Sequence, residues 1–170
     1  MKSRVLASLV ALAVTTVTVL AFAGDPAGKP DKKAMMEMMK AEMMKCAVCK
    51  NMLTGMDQYG PAMTMEVVEL DNGMAMVHNI TDASKVAAFH AAGNATAKAG
   101  MSCMTMTDEQ AKAQLCEFCQ ATRNLAKAGA SISYGQTRMG DMMVISASDP
   151  KLVGQIGELR SKCAMMASQM

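Results

Sequence analysis

Two Cys-x-x-Cys pairs, Cys46/Cys49 and Cys116/Cys119, are the residues with the clearest chemical potential in this chain. Each is followed at a distance by one more cysteine, Cys103 and Cys163, which completes a set of six. Immediately before the first pair, the stretch MMEMMKAEMM places Met35, Met36, Met38, Met39, Met43 and Met44 within ten residues. The chain holds 22 methionines in 170 residues and no tryptophan, so sulfur is its dominant donor atom. Sulfur at these spacings supports four chemistries: disulfides, a zinc site, a redox dithiol, or a grip for a soft metal ion.

Six is an even number, and an exported chain would meet an oxidising compartment, so a disulfide framework is one expectation, with a pairing that sequence leaves open. A tetrahedral zinc site needs four sulfur or nitrogen ligands. Each half of the chain supplies three cysteines, and His78 and His90 occur only in the first half. A redox dithiol belongs at the start of a helix that follows a strand, and the first pair instead ends a methionine-rich helix. Soft-metal binding uses more of the sequence. Thiolate and thioether select Cu(I) and, by the same softness, Ag(I), and a thioether does not oxidise to a disulfide. Met35 with Met38 or Met39, Met36 with Met39, and Met39 with Met43 are i,i+3 or i,i+4 pairs, so each can close on one ion from one helix face. The competing uses of methionine are gap-filling in a core and absorption of oxidant.

The compartment bears on this choice. Lys2 and Arg4 precede an uncharged, largely apolar run from Val5 to Leu20, and Ala21-Phe22-Ala23 offers a small-residue cleavage site, so residues 1–23 read as a secretory signal peptide. A periplasmic or secreted protein is expected, with no stable membrane anchor after cleavage and no later run long enough to span a bilayer. Removing Lys2 and Arg4 from the 17 Lys+Arg leaves 15 against 15 Asp+Glu. A balanced chain with only Tyr59, Phe89, Phe118 and Tyr134 as later aromatics has neither the charge nor the stacking surface for nucleic acid.

The elements that must position the sulfur read as a repeat. Residues 24–45 are a flexible lead-in passing into a methionine-rich helix that continues to about Met52, with Met35, Met39, Met43 and Cys46 on one face. AMTMEVVELDNGMAMVHNI reads as a hairpin around Asn72-Gly73, with Met65 opposite Ile80, Val67 opposite His78 and Glu69 opposite Met76. Alternation puts Met63, Met65, Val67, Met74, Met76 and His78 on one face. A helix capped by Thr81 or Asp82 follows and ends near Gly100. LCEFCQATRNLAKAG then opens a helix at the second pair and closes it at Gly129. A second hairpin and a second helix, with Asp149 as cap and Pro150 in its first position, complete the chain. The expected fold class is α+β: a tandem duplication of a small αββα module, over residues 46–106 and 107–170, with a Cys-x-x-Cys at the start of each copy.

The stretch CAVCKNMLTGMDQYGPAMTMEVVELDNGMAMVHNITD resembles the opening of NosL-type proteins, the copper-delivering accessory proteins of nitrous oxide reductase assembly. Cys46, Cys49, Met52, Gly60-Pro61 and Asp71-Asn72-Gly73 carry the likeness. Lys50-Asn51 stands where that family usually has Gly-Met, and the chain lacks a lipid-accepting cysteine. The resemblance implies two small α/β modules and Cu(I) binding. On this reading the protein is an exported, non-enzymatic Cu(I) buffer or chaperone with a copper-accepting partner; a disulfide-stabilised structural or interaction module, with methionine as core and oxidant sink, is the alternative. Met35, Met36, Met38, Met39, Met43 and Met44 are the expected labile site. Cys46, Cys49 and Met52 are the tighter one, with Cys103 and Met104 or Met106 able to complete it. Cys116, Cys119 and Cys163 are expected to form a parallel site or a disulfide. Zinc is the alternative metal.

Overall fold

The computed structural model describes residues 32–168; the expected signal peptide and most of the lead-in lie outside them, as do the side chains of Met35, Met36 and Met39. Helix α1 (Lys32–Lys45) stops at the first Cys-x-x-Cys, and short helices α2 (Lys50–Leu53) and α3 (Met56–Tyr59) follow. The expected continuous helix to Met52 is therefore broken at residues 46–49, which turn so that both cysteines face inward. Strands β1 (Met63–Leu70) and β2 (Gly73–Ile80) come next, then α4 (Val86–Cys103), α5 (Asp108–Gln114) and α6 (Glu117–Lys127). Strands β3 (Ser131–Thr137) and β4 (Gly140–Ser146) lead into α7 (Pro150–Ala167). Among the described residues no helix is long and apolar enough to cross a membrane.

The local chemistry of these boundaries is plain. Asp149 accepts a hydrogen bond from the Lys151 amide and Pro150 opens α7, where its missing N–H costs nothing. Thr107 and Gln110 close a reciprocal capping box on α5, an element the sequence pattern did not reveal. Gly129 lies at φ +106, the left-handed conformation that ends α6. Helix α4 runs through Gly100 to Cys103, three residues beyond the expected stop.

The two hairpins join into one antiparallel sheet in the order β1-β2-β4-β3. In the first, Leu70 pairs with Gly73, Val67 with Met76 and Met65 with His78, so the turn is Asp71-Asn72 and the register differs by two from the expected one. A slip of two keeps every side chain on its face, so the expected face stands although the partners change. Gly73 belongs to the strand for another reason. A Cβ there would lie 2.0 Å from the Ile145 carbonyl oxygen, and one at Gly140 would lie 1.9 Å from that of His78. These two glycines let β2 and β4 pair at the middle of the sheet.

The pairing has an internal regularity. Adding 67 to the residue numbers of β1 and β2 turns Leu70–Gly73 into Thr137–Gly140, the register of the second hairpin. In the β2–β4 ladder, Gly73–Ser146 becomes Gly140–Asn79 when 67 is added to the first and taken from the second. Helices α4 and α7 both pack on the sheet face that carries Met74, Met76, His78, Asp141, Met143 and Ile145. Under α7 the core is apolar: Met74, Ile145, Leu152, Ile156, Leu159 and Cys163. Under α4 it consists of Tyr59, Met63, Ile80 and Phe89, with the Tyr59 and Phe89 rings edge to face at 5.3 Å.

Candidate metal centre

A third cluster of buried residues lies where the helices meet: Cys46, Val48, Cys49, Cys103, Ala111, Leu115 and Cys119, with Met43, Met106, Cys116 and Phe118 packed against it. Within it the Sγ atoms of Cys46, Cys49, Cys116 and Cys119 all lie within 4.8 Å of one another. Cys49 Sγ is 3.6 Å from Cys116 Sγ and 3.3 Å from Cys119 Sγ. The two pairs, far apart in sequence, form a single four-sulfur group.

Each pair is held by its own turn. Cys49 precedes the first residue of α2, the Lys50 amide donates to the Cys46 carbonyl at 3.2 Å, and the Asn51 side-chain amide donates to the carbonyls of Ala47 and Val48. Cys116 is the extended residue that caps α6, which places Cys119 in the first turn, and the Gln120 amide donates back to the Cys116 carbonyl at 3.0 Å. One backbone bond ties the two turns together, from the Ala47 amide to the Gln114 carbonyl at 2.8 Å.

This electrostatic setting favours thiolate at two of the four cysteines, Cys46 and Cys116. The α6 amino end points its partial positive charge at the cluster. Hydrogen bonding with Cys119 brings the Cys116 thiol down to about 7, the largest of several opposing influences on it. Hydrogen bonds, first from Cys116 and then from Cys119, hold Cys46 well below the usual thiol range. Cys49 and Cys119 are pushed up, each chiefly by its hydrogen bond to Cys116. Cys116 is the half-buried member; the other three are buried.

The donor set fits a tetrahedral ion. Four sulfurs at about 2.3 Å from one metal stand about 3.8 Å apart, and the observed group is already close to that size. Four thiolates around one point are the donor set of Zn(II) and of iron–sulfur sites, and their softness also suits Cu(I). All six cysteines are free thiols, so the expected disulfide framework is absent: four sulfurs converge on a point instead of meeting in bonded pairs.

The other expected ligands fall elsewhere. Cys103 is buried beside the four but directs its thiol to the Gly100 carbonyl at 2.9 Å, and burial raises its pKa. Cys163 is in the core beneath α7, where burial pushes it up to about 11. Met52 packs with Tyr59 and Phe89. Met38 and Met44 are exposed on α1, Met43 is half-buried against the cysteine cluster, and Met104 is exposed just after α4.

Two polar constructions were not legible in the sequence. Arg123, 3% exposed, donates to the carbonyls of Cys103 and Met106 and to Asp108. Asp141, 2% exposed, binds His78 Nδ1 at 2.8 Å and accepts from the Tyr134 hydroxyl at 2.9 Å. Both join residues distant in the chain, whereas the four-cysteine group had an available signal, since two Cys-x-x-Cys pairs together supply the ligand count of one tetrahedral site. Comparison with protein-family models, with curated proteins and with solved structures gives no match for this chain.

Proposed function

We propose that this is an exported metal-binding protein whose four-cysteine centre holds one ion through Cys46, Cys49, Cys116 and Cys119. The convergence of these four sulfurs within 4.8 Å carries the reading. Zn(II) is an ion that uses all four at once, and a closed tetrathiolate shell around it leaves no open position for a substrate, so the role is binding and not catalysis. Such a centre also joins the segment before the first hairpin to the segment before the second. The shared register offset of 67 between the two hairpins supports treating the two halves as a duplicated αββα unit, and the matching cysteines of the two Cys-x-x-Cys pairs stand 70 residues apart.

A second reading is favoured by one observation: Met38 and Met44 are exposed on the helix that runs into Cys46. On that reading the cargo is Cu(I), buffered or passed to a copper-accepting partner, as the NosL-like stretch implies. The half-buried Cys116 is then the sulfur from which exchange with a partner begins.

The test is an anaerobic titration of the reduced protein with Co(II) as a spectroscopic stand-in for Zn(II), followed by competition with Zn(II) and with Cu(I) against a chromophoric chelator. One equivalent of Co(II) with intense sulfur-to-metal absorption, displaced by Zn(II) and lost in Cys49→Ser and Cys119→Ser, is expected. Displacement by Cu(I) at several equivalents would favour the second reading. Failure to take up any of the three ions with all thiols reduced would remove the metal proposal altogether.

A further inference from the structure

Methionine in this protein is divided between core and surface. Leu53, Leu115, Leu125, Leu152, Leu159, Ile80, Ile145 and Ile156 are buried, whereas Met63 and Met74 are the only methionines that reach that level among the described residues. Among the described residues, six of the eight exposed large hydrophobics are methionines: Met38, Met44, Met101, Met104, Met142 and Met165. Full burial of such a side chain is worth roughly 1.5–3 kcal/mol, so this exposure forgoes a sizeable stabilisation.

Two of these methionines stand in one short segment, Met101-Ser102-Cys103-Met104-Thr105-Met106, at the carboxyl end of α4. The Met104 amide donates to the Met101 carbonyl at 3.2 Å, so the helical course continues through Met104. At i,i+3 the two side chains share a face, and they are 70% and 40% exposed. Met106, half-buried, packs against the shell of the four-cysteine centre.

The segment is held from beneath. Arg123 gives Nε to the Cys103 carbonyl at 3.0 Å and Nη2 to the Met106 carbonyl, bracketing Met104. Its Nη1 binds Asp108 at 2.8 Å, and Lys127 binds the same carboxylate. Burying a guanidinium is costly unless its bonds are met, and here they fix a turn from which Met101 and Met104 face outward. Neutral thioethers select soft monovalent ions, while Zn(II) prefers the charged thiolates next door.

We propose that Met101 and Met104 form a separate surface site for Cu(I) or Ag(I) beside the wall of the four-cysteine centre. It deepens the metal-binding reading by giving a soft ion a landing place outside the thiolates, and it stands whichever ion the thiolates hold.

The experiment uses the whole protein with its methionine methyls labelled with carbon-13 and its cysteines loaded with Zn(II), titrated with Ag(I) as an air-stable probe. The Met101 and Met104 methyl signals are expected to shift and saturate before zinc is released. The double variant Met101→Leu/Met104→Leu is expected to lose one equivalent of Ag(I), while Met142→Leu loses none. Zinc release with these two methyls unmoved, or an unchanged equivalence in the double variant, overturns the site. If the protein does not retain Zn(II), that failure belongs to the tetrathiolate centre, and the Met101 and Met104 methyls still decide this proposal.

Discussion

The two halves of the sheet face share strand registers offset by 67 residues and carry opposite chemistry. Shifted by 67 residues, Phe89 under α4 corresponds to Ile156 under α7, both fully buried, and Met76 pairs with its own counterpart Met143. The paired residues on either side of that centre diverge. Under α7 they are Met74 and Ile145, both fully buried and apolar; under α4 the corresponding pair is Asp141 and His78, joined by a hydrogen bond. Gly93 accompanies the polar pair, since a Cβ there would lie 2.3 Å from the Tyr134 hydroxyl and 3.1 Å from an Asp141 oxygen. The same ladder thus tolerates either an oily contact or a satisfied polar network, provided that the helix above matches it. No buried side-chain nitrogen or oxygen among the described residues lacks a partner, so the polar half is complete. The four-cysteine group takes two sulfurs from each half of the chain and brings them within 4.8 Å of one another, which is where the halves are joined.

Breaking that join should have the largest effect. Structural zinc sites contribute on the order of 10 kcal/mol of apparent binding free energy, which becomes folding free energy when the site exists only in the folded chain. Cys119→Ser should abolish tight metal uptake and remove the metal-dependent rise in the thermal midpoint. Cys163→Ser, in the apolar half and away from the centre, should leave metal stoichiometry unchanged. Calorimetry of both variants with and without Zn(II) measures this. Equal metal dependence in the two would mean that the centre does not join the halves.

The polar pair comes next. Asp141→Ala strips His78 and Tyr134 of their acceptor, and each buried donor left without a partner costs about 1–3 kcal/mol. Converting this half to the chemistry of the other, with His78→Ile, Asp141→Met and Tyr134→Phe together, should cost less than the single change, because no polar atom is then stranded. Urea denaturation of the single and triple variants tests the point; a triple variant less stable than Asp141→Ala would show that the halves are not interchangeable.

Much of the fold was legible from local signals. The cap at Asp149-Pro150, the αL glycine at 129 and the alternation of Met74, Met76 and His78 all act within a few residues. The hairpin register was misplaced because Asn72-Gly73 looks like a turn, whereas Gly73 is required by a carbonyl of β4, a contact across the sheet that no local pattern carries. The cysteines were legible as ligands but were divided between two sites, since bringing Cys49 to Cys119 needs the whole intervening fold. Arg123 and Asp141 carried no signal, because a buried charge is recognisable only with its partners in view.

Alkaline titration separates the halves more gently. Tyr59, fully buried beside Phe89, has its pKa raised to about 12, first by burial and then by the charge of Asp141. Residue 126, its counterpart, is an alanine. Between about pH 10 and pH 12 the unfolded chain ionises this tyrosine while the folded one keeps its proton, so stability is whole below pH 10 and falls as pH rises. A shift of this size corresponds to about 2–3 kcal/mol by pH 12. Tyr59→Phe should remove that part of the slope in urea midpoints measured from neutral to alkaline pH, and an unchanged slope would show that this hydroxyl is not held neutral by the fold.

The smallest effect is expected where each helix is tied to the edge of the sheet. Arg160 of α7 reaches Glu69 of β1; shifted by 67, these positions become Gly93 and Gln136. In the α4 half Gln136 does the tying itself, through its amide to the His90 carbonyl at 3.2 Å and to Asn94 at 3.1 Å. The Glu69 side chain is 73% exposed, so its ion pair lies in a high dielectric and is screened by salt. Glu69→Gln should therefore cost less than about 1 kcal/mol at low salt and nearly nothing at high salt. The amide contacts of Gln136 carry no net charge, so the cost of Gln136→Ala should be insensitive to salt. Denaturation midpoints of the two variants at low and high ionic strength distinguish the two ties. A salt-independent loss for Glu69→Gln would mean that Arg160 is held by contacts other than this charge, and that the two helices are fastened by the same means after all.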